Sequence, residues 1–240
     1  MEERGDFEKT LEEAMKSLDY METISPDEFP TIDLYMDQVT TFMERKLRML
    51  MRNPSGDKIL TKTMINNYAK NDLIPPPIKK KYSREHMFAL LFVFYFKSFL
   101  SISDIQTLLE PMMETYFDRK NDCGYSVEDI YGEILKMGRG ARAELKEEML
   151  EKYRKAEGAY ENAPEETRDY LRKFAFICEL GYDIFLKKNM IERMIDDMAE
   201  DRMLEKERRE LREEAERKAA RDAVKQKKES AGAAGKQKEK

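Results

Sequence analysis

Residues 87–96 read Met-Phe-Ala-Leu-Leu-Phe-Val-Phe-Tyr-Phe, ten apolar positions in a row, and a helix of this composition has no face to give to water. Such a helix must be enclosed by its neighbours, so the chain has to fold around it. Ser83 just upstream suits an N-cap, and Glu85 falls in the first turn, where the helix dipole favours negative charge. A bilayer crossing needs roughly twenty apolar residues, so this run is expected in a protein core. Stacking of its rings on single-stranded bases would require interleaved cations, and none appears before Lys97.

The elements that enclose it are also expected to be helical. Phe7, Leu11, Met15 and Leu18 recur on one stripe of a short helix over residues 6–20. After Ser25-Pro26 and Pro30, the residues Tyr35, Val39, Phe42, Met43, Leu47 and Leu50 mark a second helix over about 34–50. Asn53-Pro54-Ser55-Gly56-Asp57 is loop chemistry. In the second half, Pro111 and the Asn121-Asp122-Cys123-Gly124 turn mark a boundary, and Gly138-Arg139-Gly140 kinks the helical pattern that follows. Further helices carry Val127, Ile130, Ile134 and Leu135, then Leu145, Met149, Tyr153 and Ala156, then residues 165–198. From residue 200 to 228 apolar residues almost vanish, and Glu205/Arg209, Glu213/Arg217 and Glu214/Lys218 are spaced as helix ion pairs. Residues 230–240 hold no core former and are expected to be disordered.

Charge is distributed unevenly. The net −5 separates into +6 over residues 58–84, +3 over 199–240 and −14 over the remainder. A basic island in an acidic chain points to one polyanion-binding face, because the rest of the surface repels phosphate. Within the island, Thr61 suits an N-cap, and Met64, Ile65, Tyr68 and Ala69 turn toward one side of a helix. Lys62, Thr63, Asn66, Asn67 and Lys70 are left for the other side. Cations hold phosphates, and an asparagine amide offers a donor and an acceptor together to adenine in the major groove. The same residues would also serve as plain solvated positions on a short helix. Pro75-Pro76-Pro77 ends the helix, and Ile78-Lys79-Lys80-Lys81-Tyr82 forms a basic strand or loop before the helix begun by Ser83. Helix, short basic excursion, helix is the layout of a winged helix-turn-helix, with Lys79, Lys80 and Lys81 on a wing that touches the backbone or the minor groove.

The segment Thr-Lys-Thr-Met-Ile-Asn-Asn-Tyr-Ala-Lys-Asn-Asp-Leu-Ile-Pro-Pro-Pro, followed by Lys-Lys-Lys-Tyr-Ser-Arg-Glu-His-Met, resembles the bacterial family of the domain of unknown function 1836. That family is similar to the MerR-type winged helix-turn-helix regulators, whose helix ending in an aromatic, turn, basic wing and Tyr-Ser helix start have counterparts in Tyr68, Leu73 and Tyr82-Ser83. The resemblance covers roughly residues 32–109. It implies a DNA-binding domain, with Asn66-Asn67 standing where many MerR regulators carry arginine and tyrosine, and Asn71-Asp72 replacing a residue-glycine turn.

Catalytic chemistry is sparse. His86 is the single histidine and sits at a helix start, where a structural role is expected rather than that of a general base. Cys123 and Cys178 are far apart, no His/Cys/carboxylate set has metal-ligand spacing, and no nucleophile has an evident base. The sequence therefore leads to a cytoplasmic, non-enzymatic regulator of all-α class without metal or cofactor. Its expected layout is an N-terminal helix and linker over 1–30, a winged helix-turn-helix over 31–120, a helical effector or dimerisation bundle over 121–198, and a charged helical then disordered tail over 199–240. Double-stranded DNA and a second copy of the chain are the expected partners, the copies pairing through the apolar surfaces of the helices over 127–156 and 165–198, with Met190, Met194 and Met198 available for an adaptable seam. A helical protein-interaction adaptor that keeps the helix-turn-helix shape is the alternative.

Overall fold

The computed structural model describes residues 6–19, 24–53, 55–56, 58–118 and 124–236, with side chains between residues 7 and 219. It is mostly helical: α1 (Asp6–Asp19), α2 (Met36–Leu47), α3 (Lys62–Lys70), α4 (Arg84–Phe96), α5 (Ile102–Tyr116), α6 (Val127–Met137), α7 (Ala141–Glu157) and α8 (Glu165–Lys236). Two short strands, β1 (Leu34–Tyr35) and β2 (Lys81–Tyr82), pair antiparallel, with Leu34 opposite Tyr82 and Tyr35 opposite Lys81. The chain divides into two units, Met1–Glu192 and Arg193–Lys240.

In the first unit, α4 is the centre. Every residue from Glu85 to Phe94 is buried, as an all-round apolar helix requires, with α5, α6 and β2 packed against it. Around it Phe29, Phe42, Phe88, Phe92 and Tyr131 interlock, with Phe29 and Phe88 ring centroids 4.4 Å apart and Phe88 and Tyr131 5.1 Å apart. The Tyr131 hydroxyl donates to the Ile24 carbonyl at 2.7 Å, and burial pushes its pKa far up, so it remains a neutral donor. Thus α6, placed by the sequence at the head of the second domain, packs instead on the α4 core.

Arg84 clamps this assembly. Its guanidinium meets Glu128 through two hydrogen bonds of 2.6 and 2.7 Å, donates to the carbonyls of Phe29 and Pro26 at 2.7 and 2.8 Å, and lies over the Phe88 ring. Four charge-assisted bonds from one planar fork fix α4, α6 and the short 3-10 turn at Pro26–Glu28 in one register.

Pro111 does not end α5, which continues to Tyr116. Proline inside a helix costs about 3 kcal/mol, and the burial of Ile105, Leu109 and Met113 at spacings of four offsets that cost. The residues 121–123 of the expected turn lie outside the described residues; Gly124 does adopt a left-handed φ of 78°. Gly138-Arg139-Gly140 separates two helices instead of kinking one, with Gly140 at φ 88° as the N-cap of α7.

A second apolar cluster joins α1, α7 and the beginning of α8. Phe7, Leu11, Ala156 and Phe176 are buried together, with Met15, Met149, Tyr153 and Leu180 packed around them. Nearby, the buried Lys152 ammonium is neutralised by Glu148 at 2.6 Å and by Asp183. In the second unit, α8 runs on with mostly exposed side chains to residue 219, and Glu213 is paired with both Arg209 and Arg217. The helix reaches Lys236, so residues 230–236 are helical where the sequence suggested disorder; residues 237–240 lie outside the described residues.

Candidate nucleic-acid interface

α3 forms where the sequence places it. Thr61 Oγ1 accepts from the Met64 amide at 3.1 Å, capping the first turn, and Ile65 and Tyr68 are buried against the body. The opposite surface holds Lys62, Thr63, Asn66, Asn67 and Lys70, all exposed. At 100° per residue these five span one continuous face of the helix. The helix closes through Asp72, which takes φ 54° and lets the Leu73 amide reach the Tyr68 carbonyl at 2.9 Å. Asp72 thus performs the left-handed turn that a glycine performs more cheaply.

The basic excursion after the prolines is a braced hairpin. Ile78 and Lys81 exchange two backbone hydrogen bonds of 3.1 and 3.0 Å, and the two residues between them, Lys79 and Lys80, have φ of 51° and 65°. Positive φ at both central positions is the signature of the type I′ turn, whose twist matches that of the flanking strands. Lys79 and Lys80 are exposed at the tip, while Lys81 is half-buried with its ammonium 5.3 Å from the centre of the Tyr35 ring.

His86 ties the hairpin root to α4. Its Nδ1 accepts from the Ser83 amide at 3.0 Å, closing a capping box in which histidine takes the place usual for glutamate, and Nε2 faces the Pro75 carbonyl at 3.2 Å. These partners assign the neutral ring with the proton on Nε2. Burial pushes its pKa below the ordinary histidine value, against the opposing pull of the Pro76 and Pro75 carbonyls and of Glu85 and Asp33. Tyr82 and Phe117 pack their rings edge-on against it. The imidazole is therefore a structural brace, in agreement with its position in the sequence.

All eight residues singled out from the sequence lie on two successive solvent-facing elements. Two of them have partners that no local spacing announces. Lys62 is ion-paired with Asp37 in the first turn of α2, and Lys81 rests on Tyr35 at the α2 N-cap. Both partners are remote in sequence, and only the β1–β2 pairing and the packing of α2 on α3 bring them near. Among the described residues no group of three histidine, cysteine or carboxylate side chains is arranged to hold a metal ion, and no helix is long and apolar enough to cross a membrane.

Neither the curated proteins nor the solved structures include a match to this chain. The family comparison does give one, and its limits follow the packed core from Ile24, which accepts the Tyr131 hydroxyl, into α6: residues 24–134 match the family Domain of unknown function (DUF1836).

Proposed function

We propose that the chain is a cytoplasmic, DNA-binding transcriptional regulator whose residues 31–120 act as a MerR-like winged helix-turn-helix. In this reading α3 enters the major groove and the 78–82 hairpin is the wing. The observation that carries it is the shared exposure of Lys62, Thr63, Asn66, Asn67, Lys70, Lys79 and Lys80 in the most basic stretch of an otherwise acidic chain. Thr63, Asn66 and Asn67 are assigned to base edges, where an asparagine amide meets adenine in two hydrogen bonds. Lys62, Lys70, Lys79, Lys80 and Lys81 are assigned to phosphates.

One such domain contacts few base pairs, so selective reading calls for two copies on related half-sites. The surface we assign to pairing is the stripe of Tyr170, Phe174, Ile177 and Ile184 on α8, each 52–66 % exposed. Contiguous apolar exposure of this kind marks an interaction surface. It belongs to the helix over 165–198, one of the two apolar surfaces expected from the sequence to pair. This stripe is also what favours the second reading, a protein-interaction adaptor, since no DNA contact requires it.

The test is an anisotropy titration of the full chain on duplexes from its own upstream region, with scrambled duplex as competitor. Six to ten phosphate contacts in a dimer predict that raising salt from about 50 to 200 mM lowers affinity by about 10³ to 10⁵-fold. Asn66→Ala or Asn67→Ala is expected to cost about 1–3 kcal/mol on the preferred duplex and little on scrambled DNA. Binding indifferent to salt would refute the reading.

A further inference from the structure

Across the small sheet, Tyr35, Lys81 and Ile78 form one row on one face. Tyr35 is the register partner of Lys81, and Lys81 is bridged to Ile78, so the three side chains stand next to one another on the pleat. The Tyr35–Lys81 ring contact agrees with that placement. The adjacent pair, Leu34 and Tyr82, faces the other way and is buried at 6 % and 2 % exposure. The outward row is therefore aromatic, cationic and aliphatic in turn, with Tyr35 54 % and Ile78 75 % exposed.

A single exposed isoleucine needs no explanation by itself. Ile78 differs in what holds it and what surrounds it. Three prolines lead into it, His86 fixes Pro75, and two backbone bonds lock it to Lys81, so the chain spends rigidity on presenting this side chain to solvent. Lys79, Lys80 and Lys81 follow at once, and Lys79 and Lys80 hold left-handed φ values that lysine adopts at a cost. An exposed apolar side chain flanked by cations is complementary to a polyanion with an apolar interior, which describes the stacked base pairs of a duplex between its phosphate chains. An acidic protein surface matches the lysines and leaves Ile78 unmatched. The minor groove of B-DNA is about 6 Å wide, enough for a side chain from the outward row but not for the two strands that carry it.

We propose that Ile78 is a wedge: the hairpin lays its outward face on the minor groove, the Ile78 side chain enters it and opens one base step, and Lys79 and Lys80 take phosphates beside it. Lys81 and Tyr35 continue the row along the groove wall. This rests on the DNA-binding reading above and adds that the protein bends its DNA. Wedges of this type kink duplexes by about 20–90° and work best at flexible pyrimidine–purine steps, where unstacking costs least.

The experiment uses the full chain and two duplexes of about 30 bp, one with a central TATA sequence and one with a stiff A-tract, carrying a fluorophore pair at their ends. Anisotropy reports binding and energy transfer reports bending in the same sample at about 50 mM salt. The expected result is a rise in transfer on the TATA duplex with the native chain and with Ile78→Leu, but none with Ile78→Ala, whose binding falls less than tenfold. Preference for TATA over the A-tract is expected to disappear with Ile78→Ala. Binding without any rise in transfer, or equal bending by the native chain and Ile78→Ala, overturns the wedge while leaving DNA binding intact. Absence of binding to either duplex overturns both readings. Polyglutamate that displaces the duplex at equal charge from the native chain and from Ile78→Ala alike assigns the hairpin to an acidic protein partner and likewise overturns the wedge.

Discussion

Lys62, the first residue of α3, is ion-paired with Asp37 in the first turn of α2, so the leading phosphate-binding candidate of the interface already has an anionic partner within its own chain. Both side chains are well exposed, at 61 % and 76 %, and a pair in that setting contributes little to folding. Its consequence falls on ligand binding, because a phosphate must displace Asp37 to reach the ammonium. Asp37→Asn is expected to raise duplex affinity about three- to tenfold at low salt, corresponding to about 0.7–1.4 kcal/mol of removed competition. Fluorescence anisotropy on one fixed duplex measures this. Unchanged affinity would take Lys62 off the DNA path.

The hairpin tip sets stability against binding. A type I′ turn is best served by Asn-Gly, yet Lys79 and Lys80 occupy it. The double replacement Lys79→Asn with Lys80→Gly is expected to raise unfolding free energy by about 1–2 kcal/mol by relieving two left-handed lysines. The same protein is expected to bind duplex more weakly and to show a salt slope reduced by about two units per copy. Denaturant titration and a salt series together check the opposite signs.

His86 makes folding sensitive to mild acid. Its folded-state pKa is lowered, chiefly by burial, so below about pH 6.5 the unfolded chain binds a proton that the native imidazole resists. The stability associated with the neutral ring is complete above pH 6.5 and is lost progressively as pH falls toward the lower native value. Protonation also removes the Nδ1 acceptor of the Ser83 amide. His86→Asn is expected to lose stability overall and to flatten the decline in this window, as measured by urea midpoints between pH 7.5 and about 5. An unchanged slope in the variant would exclude His86 as its source.

Arg84 and Glu128 test the joining of α6 to α4. Arg84→Ala removes two charge-assisted bonds to the half-buried Glu128 carboxylate and one to each of two backbone carbonyls, and the expected loss is about 2–4 kcal/mol. Arg84→Lys is expected to recover only a small part, since a single ammonium cannot reproduce the two bonds to Glu128 together with those to Phe29 and Pro26. Chemical denaturation decides the matter. Full rescue by lysine would mean that charge alone holds the clamp.

Pairing through α8 has a direct test. Phe174→Glu with Ile184→Glu alters two exposed positions, so helicity by circular dichroism is expected to be unchanged. Sedimentation velocity is expected to show a dimer for the native chain and a monomer for the variant. A native chain that stays monomeric at high concentration would leave the stripe to another partner.

Local pattern was enough for some of this protein. The unbroken apolar run 87–96 required an enclosed helix, Thr61 announced the start of α3, and the alternation of apolar and polar residues at helical spacing separated the buried Ile65 and Tyr68 from the outward Lys62, Asn66 and Asn67. These features depend on period and capping, which neighbouring residues specify among themselves. Tertiary packing decided what such rules cannot reach. Pro111 is a helix breaker in isolation, yet the burial of Ile105, Leu109 and Met113 carries α5 through it. Asp37 and Tyr35 occupy the lysines of the interface because β1 pairs with β2 across more than forty residues of chain, and Arg84 finds Glu128 only once α6 has docked on α4. Contacts between distant segments depend on which faces meet in three dimensions, and a linear spacing carries no term for that.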